Sequence, residues 1–326
     1  MKSFKSFLIE GNNTAGADVN EVLLAVYIVG ATFENGKIKG PTSKIDNVST
    51  LEKKLNDKIP KVKDFEDQDG RAKVMAIESL KWAKSNGYTG NPVKVYWTAR
   101  KGSLGDAVNQ DVDSRKNPTD VLIEFPGKKF LGISAKSSRL GEIGFKNPGL
   151  GTIESTFKVK LDDNKNKVEQ DFMAKYPELS KVNSKRLVQI KKGLDENGNL
   201  KYKAEADKLG QGVESGIRDQ LFDIMSKLSQ EKLFDHLLND WLDATEVYPP
   251  YVKVTGHGTK EPYSVISENP KSNDKIKKLT LGPIILKKVA NNSIGVFGGK
   301  SKIFGIRLKY ADIRLASSMK LSGDPK

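Results

Sequence analysis

The sequence predicts an α/β protein with a β-rich C-terminal end, and three observations carry that expectation. Two period-two runs, Val121-Ile123-Phe125 and Leu131-Ile133-Ala135, flank Pro126-Gly127 and read as two strands joined by a turn. Apolar residues recur at helical spacing over 19–33 and 71–85. From Tyr248-Pro249-Pro250 onward the pattern changes to short β runs separated by turn residues.

In chain order, Asp18 is an N-cap candidate for a helix over 19–33, with Val22, Leu23, Val26 and Tyr27 making it apolar on more than one side. Glu21 is the one acid inside it. It is either a first-turn carboxylate favoured by the helix dipole or an inward acid that needs a cation or a donor. Residues 35–48 read as loop, 50–59 as a short amphipathic helix and 71–85 as a firmer one, ended by Asn86-Gly87. Val93 to Thr98 alternates as a strand. The loop after it is basic and contains glycine; Arg100 and Lys101 are either phosphate contacts or solvated residues. Ser138 and Arg139, among the small and basic residues after Lys136, are further candidates to meet a phosphate backbone.

Helices are expected over 152–158, 168–176, 180–192, 204–228 and 230–242, the last two covering the second face of the sheet. Residues 1–245 are expected to form one domain with helical insertions, and 246–326 a β-rich region packed on it or forming a small domain of its own. Lys253, Lys260, Arg307, Lys309, Arg314 and Lys320 are expected to form a basic surface, with Arg307 and Lys309 at the same strand parity.

Composition narrows the chemistry. The chain has 326 residues, with 55 basic against 41 acidic side chains, a formal net charge of +14. That balance suits a polyanionic partner. There is no cysteine and there are two histidines, His236 and His257, which excludes disulfides, thiolate zinc sites and multi-histidine centres. A metal would be held by carboxylates and would be hard, like Mg²⁺. The first ten residues have too short an apolar run for a signal peptide and no segment reaches membrane-span length, so a cytoplasmic protein without a membrane partner is expected.

With a turn centred near Lys128, antiparallel pairing would set Asp120 opposite Lys136, with Ser134 on the same face and facing residues about 5 Å apart. Pro118-Thr119-Asp120 followed by Ser134-Ala135-Lys136 resembles the signature of the PD-(D/E)xK nuclease superfamily: Pro-Asp on one strand, then an acid, any residue and Lys on the next. Two positions depart from it. One residue separates Pro118 from Asp120, and Ser134 stands where an acid is usual.

The resemblance spans about residues 15–140. It implies a restriction endonuclease-like core with a mixed central sheet flanked by helices, and a Mg²⁺-dependent DNA endonuclease in which Mn²⁺ substitutes. It implies Asp120 as the principal metal ligand and Lys136 as the group that orients water or stabilises developing charge. Glu21, matching a first-helix Glu of such nucleases, would be the second carboxylate and compensate for Ser134, whose hydroxyl would hold a water at the metal. DNA is the implied partner, with a homodimer as one assembly. The opening ten residues resemble the N-termini of many phage proteins, which would put the protein in the host cell cytoplasm. Ser134 keeps a second reading open: a non-catalytic nucleic-acid-binding or phage structural protein on a decayed nuclease scaffold. A third is an interaction module whose charge serves solubility.

Overall fold

The chain divides into two units, residues 1–143 with 245–273, and residues 144–244 with 274–326. One boundary falls at 244/245, beside the expected cut, but the chain also crosses at 143/144 and at 273/274, so residues 245–273 rejoin the first unit. A strand's own alternation shows which face it buries, but not which distant strand it joins. The computed structural model describes residues 7–324 apart from 101, 114–116, 140–145, 162, 182–187, 189–192, 194–200, 243–246, 270–273, 312–313 and 316.

The first unit opens with α1 (Phe7–Ile28). This helix begins well before Asp18, which is interior to it and pairs with Lys54 at 2.7 Å and Lys58 at 3.4 Å. The expected N-cap is thus an ion-pair partner. The helix also ends five residues early, at a turn where Gly30 adopts φ +76°. The end of the expected helix and the start of the expected loop instead form a hairpin, β1 (Thr32–Glu34) and β2 (Lys37–Lys39), turned by Asn35-Gly36 with both residues at positive φ. Next come α2 (Val48–Lys58) and α3 (Phe65–Ser85).

Five strands make a mixed sheet in the order β3 (Lys94–Trp97), β4 (Val121–Phe125), β5 (Lys129–Ser138), β6 (Tyr251–His257), β7 (Ser264–Glu268). Every neighbouring pair is antiparallel except β5 and β6, which run parallel. The predicted alternation holds: Val121, Ile123, Phe125, Leu131, Ile133 and Ala135 share one core with Val252, Val254 and the buried residues of α1 and α3. Burial of each such aliphatic side chain contributes about 1.5–3 kcal/mol. Leu122, of opposite parity, packs with Leu104 and Val108 of the short helix α4 (Ser103–Val108).

The second unit holds the long helix expected to cover that sheet. It contains α5 (Leu150–Phe157), α6 (Asp163–Lys175), α7 (Lys203–Ser226), α8 (Gln230–His236) and α9 (Asp274–Thr280). Its antiparallel sheet is ordered β11 (Met319–Asp324), β10 (Ser301–Tyr310), β9 (Ser293–Gly298), β8 (Ile284–Ala290). Val213, Ile217, Leu221 and Met225 of α7 join Trp241, Phe304, Ile306 and Leu308 in a core of its own. The stripe on α7 is real, but its partner is this second sheet. Among the described residues, no helix is long and apolar enough to cross a membrane.

Candidate active site

The central hairpin is tighter than its sequence predicts. Gly127 and Lys128 both take left-handed φ, at +75° and +55°, so Phe125 pairs with Lys129 and Val121 with Ile133. Asp120 therefore does not stand across the ladder from Lys136. Its amide donates to the Ile133 carbonyl at 2.9 Å, although Val121 already faces Ile133. Two residues against one is the count of a β-bulge, which re-aims a side chain. The Asp120 carboxylate turns along β5, where Oδ2 accepts from the Ala135 amide at 2.9 Å and from Lys136 Nζ at 3.4 Å. The acid and the amine meet because the lysine side chain is long, not because they share a register position.

Neighbouring groups fix the approach to Asp120. Asn117 donates to the Pro249 carbonyl at 3.0 Å, and its Oδ1 accepts from the Thr119 amide and hydroxyl. Thr98 Oγ1 donates to the Thr119 carbonyl at 2.9 Å.

Glu21 on α1 belongs to the same electrostatic cluster. Its Oε2 accepts from Trp97 Nε1 at 3.2 Å. Burial pushes its carboxyl up from an ordinary 4.5 to about 8; the Asp120 charge adds to this, and the Trp97 bond and Lys136 oppose it. Asp120 is also raised, by burial, against the pull of Lys136 and the Ala135 amide. Two buried carboxyl groups thus share the Lys136 charge, with Lys253 also acting on Asp120, and both are raised above their ordinary values. A group raised in this way contributes stability that is full below pH 4.5 and is lost as pH rises to about 8. Glu21→Gln is expected to flatten that loss; denaturant titrations at pH 5, 7 and 8.5 measure it, and an unchanged pH profile would refute the assignment.

The other expected residues are placed unequally. Ser134 is 2% exposed and pairs with Lys253 across the β5–β6 ladder. Arg100 lies 5.0 Å over the Trp97 ring and lines a cleft of about 480 Å³ with Thr98, Asn117, Thr119 and Asp120. Lys101 lies outside the described residues. The Ser138 carbonyl accepts from the Gly258 amide at 3.2 Å, and the exposed Arg139 is 3.7 Å from Asp64.

Sequence reading missed the network beneath Ser138 and Arg139. Ser137 Oγ donates to Gln68 at 2.7 Å, Gln68 to Asp64 at 3.3 Å, and Arg71 reaches Asp64 at 3.1 Å and the Gly258 carbonyl at 2.7 Å. It ties the end of β5, one residue past Lys136, to α3. The available signal was the spacing of Gln68, Arg71 and Met75 along one helical face, a polar pair on a stripe otherwise apolar.

Among the described residues, no group of three or more His, Cys, Asp or Glu converges. The chain's donors are the two carboxylates Glu21 and Asp120. That set fits Mg²⁺, which is bound through one or two carboxylates and completes its shell with waters and substrate phosphates. Compared with protein-family models and with curated proteins, the sequence matches none.

Proposed function

We propose that this protein is a Mg²⁺-dependent DNA endonuclease that hydrolyses phosphodiester bonds, with a restriction endonuclease-like core in its first unit. The observation that carries this reading is the convergence of Asp120, Glu21 and Lys136 at the start of β4, beside a cleft that Arg100 borders. A mixed sheet flanked by α1 and α3 supports the core that the motif resemblance implies.

Asp120, anchored by the Ala135 amide, and Glu21, once deprotonated, would hold the ion. Magnesium, when bound, polarises the phosphoryl oxygen and neutralises its charge. Lys136, with a side chain 47% exposed, keeps its ammonium where it stabilises charge developing on the phosphate or orients the attacking water. Arg100 offers a guanidinium to a backbone phosphate next to the scissile one. Such an enzyme would act in the cytoplasm, where its DNA lies.

Purified protein is expected to nick or cut plasmid DNA in Mg²⁺ or Mn²⁺ and to stop in EDTA. If supercoiled, relaxed, linear and single-stranded DNA all stay intact with both ions, the proposal fails. Because Glu21 must lose its proton to bind the ion, thermal stabilisation by Mg²⁺ should grow between pH 6 and 8.

The buried Ser134 at the usual acid position favours a second reading, a DNA-binding protein on a nuclease-like scaffold that no longer cuts. It predicts salt-sensitive DNA binding that EDTA leaves unchanged, with no cleavage.

A further inference from the structure

The sheet of the second unit has two unlike faces. Ile306, Leu308 and Tyr310 of β10 and Met319 and Leu321 of β11 point into the helical core. Their alternating neighbours Arg307, Lys309 and Lys320 point the other way. Lys309 and Lys320 are direct cross-strand partners, and Arg307 lies two residues along the same strand from Lys309. Like charges directly opposed in a ladder destabilise it. The acid on this face, Asp324, is taken by Arg307 at 2.8 Å. Among the described residues, neither lysine has an ion-pair partner.

The face continues across β9 and β8. A Cβ on Gly295 would lie 2.8 Å from the Phe297 ring, so the glycine leaves room for that ring to lie against the sheet. Lys287 sits 4.9 Å from the Phe297 centroid. Cations thus stand on both edges of a four-stranded platform about 14 Å wide, with an aromatic ring between them.

We propose that this face is a second DNA-binding surface, at which Lys309, Lys320 and Arg307 take the sugar-phosphate backbone. An opposed lysine pair is a cost to the free fold that a bound phosphate turns into an attraction. The Lys309 amine is held below its ordinary range, first by burial and then by Arg307 and Lys320, with Asp324 opposing; an anion would relieve this. The scattered basic surface expected from the sequence thus resolves here into one cluster. Lys253 and Lys260 belong to the first unit, and Arg314 is engaged by Glu214 at 3.2 Å. The choice of DNA as the polyanion rests on the endonuclease reading.

Fluorescence anisotropy of a labelled duplex and of a labelled single strand, with the full chain in EDTA, tests it. For Lys309→Gln/Lys320→Gln, affinity should fall about tenfold or more at 0.1 M salt, and the slope of log affinity against log salt should drop by about two. Lys309→Arg/Lys320→Arg should keep both. Loss of the opposed charges should leave the melting temperature at or above that of the parent; Lys320→Gln alone, at an exposed site, gives the same reading with a slope change of about one. Unchanged affinity and slope in the Gln variants overturn the proposal. A parent that cuts DNA while these variants bind as it does would refute this surface and leave the endonuclease standing. A parent that never cuts, with binding lost in the Gln variants, would refute the endonuclease and leave this surface standing.

Discussion

Asp120→Ala is expected to slow Mg²⁺-dependent plasmid cleavage by about a thousandfold or more, the scale set by removing a group that organises transition-state electrostatics. Of the two site carboxylates, Asp120 is the one held by two donors, the Ala135 amide and Lys136. On the proposed reading, alanine there would remove a metal ligand, and it leaves Lys136 without its anchor. It also removes one cause of the raised Glu21 carboxyl, though burial, the larger cause, stays. The Glu21 titration should therefore move down toward, but not to, its ordinary value. Single-turnover cleavage and a pH titration of stability read these two effects separately. A variant that keeps a tenth of the parent rate while melting normally would remove Asp120 from the site.

Gly70→Ala is expected to destabilise the first unit by about 1–3 kcal/mol, the usual cost of forcing extra volume into a packed site. For a glycine in an exposed helix interior the same change stabilises by up to about 1 kcal/mol. The sign reverses here because a Cβ at Gly70 would lie 2.0 Å from the ring of Tyr263, which the fold presses against α3. That ring also donates its hydroxyl to Asp67 at 3.0 Å, so it is not free to swing away. Tyr263→Ala should absorb most of the penalty, which makes the two changes strongly non-additive. Urea titrations of the single and double variants measure the coupling, and additive effects would show that the helix and the ring do not meet.

Local pattern carried a good deal of the fold. Val121 through Ala135 alternated on the page and alternate in the structure, because a strand's side chains take their faces from backbone geometry alone. Helices over 50–59 and 71–85 were legible for the same reason, from the period of their apolar residues. The Asn35-Gly36 hairpin is legible too, since this dipeptide favours the paired positive φ values it adopts. The helix expected from 71 starts six residues earlier, at Phe65, so Gly70 lies inside α3, where a distant ring makes its missing side chain useful.

By itself, the sequence determined the buried faces, the basic charge, the hard-ligand chemistry of any metal and the nearness of Asp120 to Lys136. All of these follow from composition, from short-range alternation or from the two strands of one hairpin. Only the tertiary structure decided that two left-handed residues tighten the hairpin, that β6 joins β5 rather than the later strands, and that the long helix serves another sheet. It alone buried Glu21 near Asp120, which raises its carboxyl, and set Lys309 against Lys320. Those outcomes depend on which distant surfaces meet and on charges summed across them, and neither is written in the spacing along the chain.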